Sequence, residues 1–248
     1  VYGRSLDVRA STGSTNDDAR EAAAAGAPRG HVVVADAQDR GRGSHGRAWS
    51  SPSGVDLYLS IVERLTLPPA VVPLVTLAVG VGVADAIAIL APELAPHVRV
   101  KWPNDAWIDR KKTAGILVES SSVGGVQGPL ILGVGLGVNR LAWDGELAAS
   151  ATSLLASLRA RDPARPALDR AEVLATLLHG IERAVDTLAI EGPHAIVQRL
   201  ASRLAMVGER VAIDETEGTL VGVAESGAIR LAIDGHERTF FAGQLRPL

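Results

Sequence analysis

Three short polar stretches interrupt an otherwise apolar chain, and their residue types suit chemistry on carboxylate and phosphate. The first runs Gly41-Arg42-Gly43-Ser44-His45-Gly46-Arg47-Ala48-Trp49, the second Lys101-Trp102-Pro103-Asn104-Asp105, the third Lys112-Thr113-Ala114-Gly115-Ile116-Leu117. Glycines leave the first stretch free to wrap an anion, its arginines carry fixed forks of donors, and the Trp49 indole offers a flat face to a ring. The other two set lysines where strand-like runs end or begin, with an amide and a carboxylate between them.

The elements that must position these groups can be read from periodicity. Ser14-Thr15-Asn16-Asp17-Asp18 before an alanine-rich run ending at Gly26 predicts a helix with a hydroxyl cap and an acidic first turn. Three consecutive valines between His31 and Ala35 predict a buried strand feeding the glycine-rich loop, and Val55 to Ile61 predicts the strand that leaves it. Ala70 to Leu90 is almost wholly apolar. Its Pro73, glycines and Asp85, without an anchoring belt, favour a buried central helix over a membrane span.

Val98 to Trp102 alternates, so Arg99 and Lys101 oppose the valines and Trp102, and Pro103 ends the ladder. Lys111 to Glu119 and Leu130 to Asn139 predict two further strands. In the second, Gly133, Gly135 and Gly137 share one face and leave it bare for a ligand or for close packing. Arg161 to Pro166 reads as a loop, Asp169 to about Ile190 as an amphipathic helix, and Pro193 to Leu204 as another. From Val207 short alternating stretches at 210–213, 217–223, 228–233 and 238–241 predict a small all-β barrel. Residues 1–206 are thus expected to form one domain and 207–248 a second.

Composition narrows the function classes. The chain has 248 residues, 47% of them hydrophobic and 21% charged, with a net charge of −3, which suits an ordinary globular protein without an electrostatic footprint for nucleic acid or an anionic membrane. The absence of cysteine removes disulfides, a thiolate nucleophile and a Cys-based zinc site, in keeping with a cytoplasmic protein. Gly41, Gly43 and Gly46 satisfy the dinucleotide fingerprint literally, but Trp49 to Gly54 leads into a strand where that fold needs a helix. No P-loop, zinc spacing or nucleophile elbow occurs.

In their order, these signatures resemble those of the biotin protein ligases. That family carries Ser-Thr-Asn on its first helix, a G-R-G-R-x-G-R-x-W loop, K-W-P-N-D, K-x-x-G-I-L, a glycine-rich strand ending in asparagine, and a small SH3-like barrel. The likeness covers essentially the whole chain. An N-terminal helix-turn-helix, present in the repressor members, has no room before Ser14, so DNA binding is not expected. One position departs from the pattern: Ser44 stands where the family loop has its second arginine, which removes a charge-assisted partner from the loop that closes over the intermediate.

The resemblance implies an α+β fold, a mixed sheet with packed helices like that of the class II aminoacyl-tRNA synthetases. It also implies two reactions. Biotin attacks the α-phosphate of ATP to give biotinyl-5′-AMP and pyrophosphate, and a lysine on the biotin carboxyl carrier domain of an acetyl-CoA, acyl-CoA or pyruvate carboxylase then takes the biotinyl group. Lys112, Arg42 and Lys101 would neutralise oxygen charge. Ser14, Thr15, Asn16, Gln38, Arg42, Lys112, Gly115 and Leu117 would hold biotin. Arg42, Ser44, Arg47, Trp49, Asn104, Lys112 and Asn139 would meet ATP, and Asp105 either positions magnesium or deprotonates the acceptor amine. A lipoate or octanoyl ligase, and a binding module that has lost turnover through Ser44, are the alternatives.

Overall fold

The structure is a computed structural model that describes residues 1–123 and 126–248. Its centre is a seven-stranded mixed sheet of β1 (Leu6–Arg9), β2 (Val32–Ala35), β3 (Leu57–Glu63), β4 (Val98–Lys101), β5 (Asp105–Ile108), β6 (Lys111–Val123) and β7 (Val126–Leu136), in the order β1-β2-β3-β7-β6-β5-β4. β1 runs parallel to β2, and the other neighbours are antiparallel. The parallel pair needs a crossover, which α1 (Thr15–Ala24) supplies.

Helices cover both faces of the sheet, which is why the valine run of β2 is buried throughout. Val33 packs with Ala19 and Ala23 of α1, whereas Val32 and Val34 turn to the larger core. That core holds α2 (Val72–Leu90) and, after the short helices α3 (Leu147–Ser150) and α4 (Leu154–Arg159), also α5 (Arg170–Glu191) and α6 (Pro193–Ala201). α2 is long and apolar enough to cross a membrane, yet its side chains from Leu74 to Ile87 are mostly buried within the protein. Gly82 lets it lie against α5, because a Cβ there would stand 2.6 Å from the Gly180 carbonyl oxygen.

A second sheet, antiparallel and five-stranded, contains β8 (Arg210–Ile213), β9 (Thr216–Val223), β10 (Ile229–Ile233), β11 (His236–Phe240) and β12 (Leu245–Pro247), ordered β11-β10-β9-β8-β12. Val211, Ile213, Leu220, Ile229, Leu231 and Leu245 share the large core with the seven-stranded sheet. The buried Trp102 indole donates 3.0 Å to the Gly227 carbonyl in the β9–β10 turn.

The expected strands and long helices are present with ends shifted by a few residues. β1, β5, α3, α4 and β12 carry too little periodicity to announce themselves, being three to six residues long. Ser14 does sit at the N-cap of α1, but its hydroxyl makes no capping bond. It is buried, at 4% exposure, on the wall of the cleft. At α5 the Asp169 carboxylate does cap, accepting from Ala171 N–H at 2.8 Å.

Candidate active site

Two adjoining cavities open where the glycine-rich loop crosses β6 and β7, and Gly43, Ser44, Trp49 and Lys112 line both. The glycines of these strands provide the floor. A Cβ on Gly115 would stand 2.6 Å from the Trp49 ring, and one on Gly135 would collide with the same indole, so side chains at these positions would expel it. Gly133 gives its space to the Asn16 amide, and Gly137 to the backbone at Thr152. The bare face is therefore taken up by the protein's own groups, one glycine at a time.

The first cavity is walled by the start of α1. Thr15 donates to the Gln38 Oε1 through both N–H and hydroxyl, at 2.9 and 3.2 Å, and Gln38 Nε2 donates to Ser51 at 2.9 Å. The Ser60 hydroxyl lies 2.6 Å from Asn16 Oδ1 and 2.8 Å from Thr15 Oγ1. Asn16 Nδ2 donates to Glu119 at 2.9 Å and to the Leu117 carbonyl at 3.3 Å. Such a pre-formed set of amides and hydroxyls suits a neutral polar ring with donors and acceptors of its own.

The rim carries the charge. Lys112 Nζ lies 2.6 Å from Asp105 Oδ1 and 5.2 Å from the Trp49 ring centre. A bulge on the β5–β6 pair, between Ala106 and Trp107, interrupts the register beside Lys112. Asp105 lies across on β5 and faces the second cavity, as do Arg47, Thr113 and Arg140. Lys101 Nζ is 3.9 Å from Asp105 Oδ2 and 5.4 Å from the Trp107 ring. Burial pushes the Lys101 ammonium below its ordinary pKa, partly offset by Asp105 and reinforced by Lys112 and Arg47.

The loop is held on two sides. Asn104 Nδ2 donates to Ser44 Oγ at 3.2 Å and to the Ile116 carbonyl at 2.9 Å, tying the second signature to the first and third. Arg42 lies on the first cavity with its guanidinium paired to Asp17. The structure thus brings together Ser14, Thr15, Asn16, Gln38, Arg42, Ser44, Arg47, Trp49, Asn104, Asp105, Lys112, Gly115 and Leu117 around the two cavities. Lys101 and Asn139 lie apart from the residues lining them. The Asn139 amide exchanges two 2.9 Å hydrogen bonds with the Leu168 backbone, so it fastens the chain after β7.

Several groups on the second cavity go unmarked by the signatures. Asp56, 4% exposed, accepts from Val138 N–H at 2.9 Å, and burial raises its carboxyl pKa. Its presence at the head of an apolar strand was the available signal. Arg140, whose guanidinium stacks 5.4 Å from the Trp143 ring, and Thr152 join the wall because residues 151–152 pair alongside Lys112. The Trp49 Nε1 and Thr113 Oγ1 atoms are buried without partners.

The chain is similar to proteins of known family. The family model for biotin/lipoate A/B protein ligases matches residues 9–139. The biotin--[acetyl-CoA-carboxylase] ligase of Mycobacterium tuberculosis is 33% identical over 98% of this chain and 88% of its own length. The bifunctional ligase/repressor BirA of Escherichia coli is 29% identical over 87% of this chain and 66% of its own length. The biotin protein ligase from Aquifex aeolicus, solved in complex with biotin and ATP, superposes with a TM-score of 0.82 at 27% identity and covers 99% of this chain and 100% of its own. The chain belongs to the biotin/lipoate A/B protein ligase family.

Proposed function

We propose that this chain is an ATP-dependent biotin–protein ligase. It joins the biotin carboxylate to the α-phosphate of ATP, giving biotinyl-5′-AMP and pyrophosphate, and passes the biotinyl group to a lysine amine on a biotin carboxyl carrier domain. The observation that carries this reading is the position of Lys112, whose side chain lines the polar first cavity and the larger second one alike. A mixed anhydride would lie across that junction. Biotin's ureido ring matches the donors and acceptors at Ser14, Thr15, Asn16 and Gln38, and the nucleotide's phosphates match the guanidinium charge of Arg47 and Arg140 on the second cavity.

In the first step Lys112 and Arg42 meet the carboxylate and α-phosphate oxygens, where charge accumulates as the new P–O bond forms and pyrophosphate leaves. A positioned donor in such a site contributes about 3 to 4 kcal/mol. In the second step the acceptor amine attacks the acyl carbon, AMP departs, and Asp105 lies 2.6 Å from Lys112 as a carboxylate beside the reacting centre. Magnesium would supply charge neutralisation on the phosphates when bound. No group of three or more metal-ligating side chains occurs among the described residues, but Asp56 and Asp105 both line the second cavity. That set fits an ion held by one or two carboxylates together with phosphate oxygens. Residues 1–206 carry both substrate sites in this reading, and 207–248 form the appended small domain.

The test is biotin-dependent release of pyrophosphate from ATP, followed by mass spectrometry of a carrier domain. Release with lipoate or octanoate in place of biotin would move the chain to the other branch of the family. Binding without release would make it a binding module.

A further inference from the structure

The reading of Arg42 as a group that meets anionic reactants requires its guanidinium to face the cleft, and the structure has both terminal nitrogens turned to carboxylates of the protein. Arg42 Nη1 and Nη2 donate to the two oxygens of Asp17 at 2.7 and 2.8 Å, and Nη2 lies 3.5 Å from Glu119 Oε1. Its charge is thus cancelled by carboxylates at the mouth of the first cavity. Hydrogen bonding from Arg42 is the leading reason that the Asp17 carboxyl lies below its ordinary pKa.

The surroundings of this pair suit release. Arg20, on the same helix as Asp17, donates to Asp17 Oδ1 and to Glu119 Oε2, each at 2.7 Å. Departure of Arg42 therefore leaves each carboxylate one hydrogen bond from Arg20, whose single charge the two then share. The Arg42 backbone is bridged to Ala48, with Trp49 N–H donating to Gly41 and Gly43 N–H to Arg47 at 2.8 Å, so the change of partner is a rotation of the side chain alone. The pair is 38% exposed on each side, where an ion pair contributes at most about 1 kcal/mol. An anion in the cleft, bound bidentately and away from water, offers the guanidinium a stronger partner.

We propose that Asp17 is a latch on Arg42, competing for its guanidinium with the carboxylate of the incoming substrate and surrendering it when that carboxylate binds. The inference rests on the proposed reading of Arg42, and Asp17 acts only through it, as a positioning residue. Removing the latch then removes a competitor.

Asp17→Asn, Asp17→Ser, Arg42→Ala and the Asp17→Asn/Arg42→Ala double variant of the full chain are titrated calorimetrically with biotin and with biotinamide, which lacks the carboxylate. Asp17→Asn should bind biotin about two- to fivefold more tightly, the span of an exposed ion pair, with Asp17→Ser changing in the same direction. Biotinamide should show no gain, and the gain should vanish in the Arg42→Ala background. Unchanged or weaker biotin binding by both Asp17 variants overturns the latch, weaker binding meaning that Asp17 instead clamps Arg42 in its working position. A gain that survives with biotinamide or without Arg42 also overturns it. Failure of the underlying reading is separately visible: Arg42→Ala alone would bind biotin and release pyrophosphate as the unaltered chain does.

Discussion

The ammonium of Lys112 and the carboxylate of Asp105 form an ion pair at 2.6 Å across neighbouring strands, on the ridge between the two cavities. The carboxylate fixes the direction of the lysine without reaching the first cavity itself. Replacing Lys112 by Ala removes the cation from both developing oxyanions and leaves Asp105 with Lys101, 3.9 Å away, as its remaining cationic partner. Formation of biotinyl-5′-AMP in a single turnover should fall by about 10²- to 10³-fold. A loss below about tenfold, roughly 1.4 kcal/mol, would take Lys112 out of the catalytic set.

Ser44 bears on retention of the intermediate. Its hydroxyl accepts from Asn104 and lies on both cavities, but it brings no charge to the loop. Ser44→Arg adds a guanidinium with five donors where a phosphate must be held, so biotinyl-5′-AMP should leave more slowly and bystander proteins such as albumin should acquire less biotin. Equal dissociation rates and equal albumin labelling in the two forms would show that the missing arginine has no consequence.

Asp56 yields a pH dependence of stability. Its folded pKa is raised, chiefly by burial, so between the ordinary carboxyl value of about 3.9 and the raised one the folded state holds more protons than the unfolded chain. Stability attributable to Asp56 therefore falls as pH rises through that window. Asp56→Asn, which keeps an acceptor for Val138 N–H, should raise the thermal midpoint at pH 8 relative to the unaltered chain and gain little at pH 4. Midpoint differences that do not change with pH would refute this.

The join between the two sheets passes through Trp102. Trp102→Phe keeps the ring in the core but deprives the Gly227 carbonyl of its partner, at a cost of about 1 to 3 kcal/mol for a buried group left unsatisfied. Because Asn104 and Asp105 follow two and three residues later, the KM for ATP should rise as well. Urea unfolding and steady-state kinetics on the same variant check both effects. A loss of stability with unchanged KM would confine Trp102 to holding the sheets together.

Much of this site is visible in sequence because its chemistry depends on residue types that a core does not explain. Arginines between glycines, Lys-Trp-Pro-Asn-Asp and a lysine three residues before Gly-Ile-Leu have no packing reason to occur in one order, and hydrophobic period alone marks the long helices and buried strands. The glycines of β7 announce a bare face. What fills that face is a matter of tertiary approach: Asn16 comes from α1, the Trp49 indole from the loop, and the Thr152 backbone from a segment without periodicity. The same holds for Asp56 and Arg140, which become cavity walls only when β3 pairs with β7 and residues 151–152 fold back on Lys112. Asn139 carries the reverse lesson, since its amide is consumed by the Leu168 backbone 29 positions away. The sequence determined which groups the protein has and the local elements that carry them, because period and residue chemistry are local properties. Which donors face the cleft, which are already paired, and that Arg42 lies against Asp17 emerge from the folded chain, because pairing depends on distances between residues far apart in the sequence.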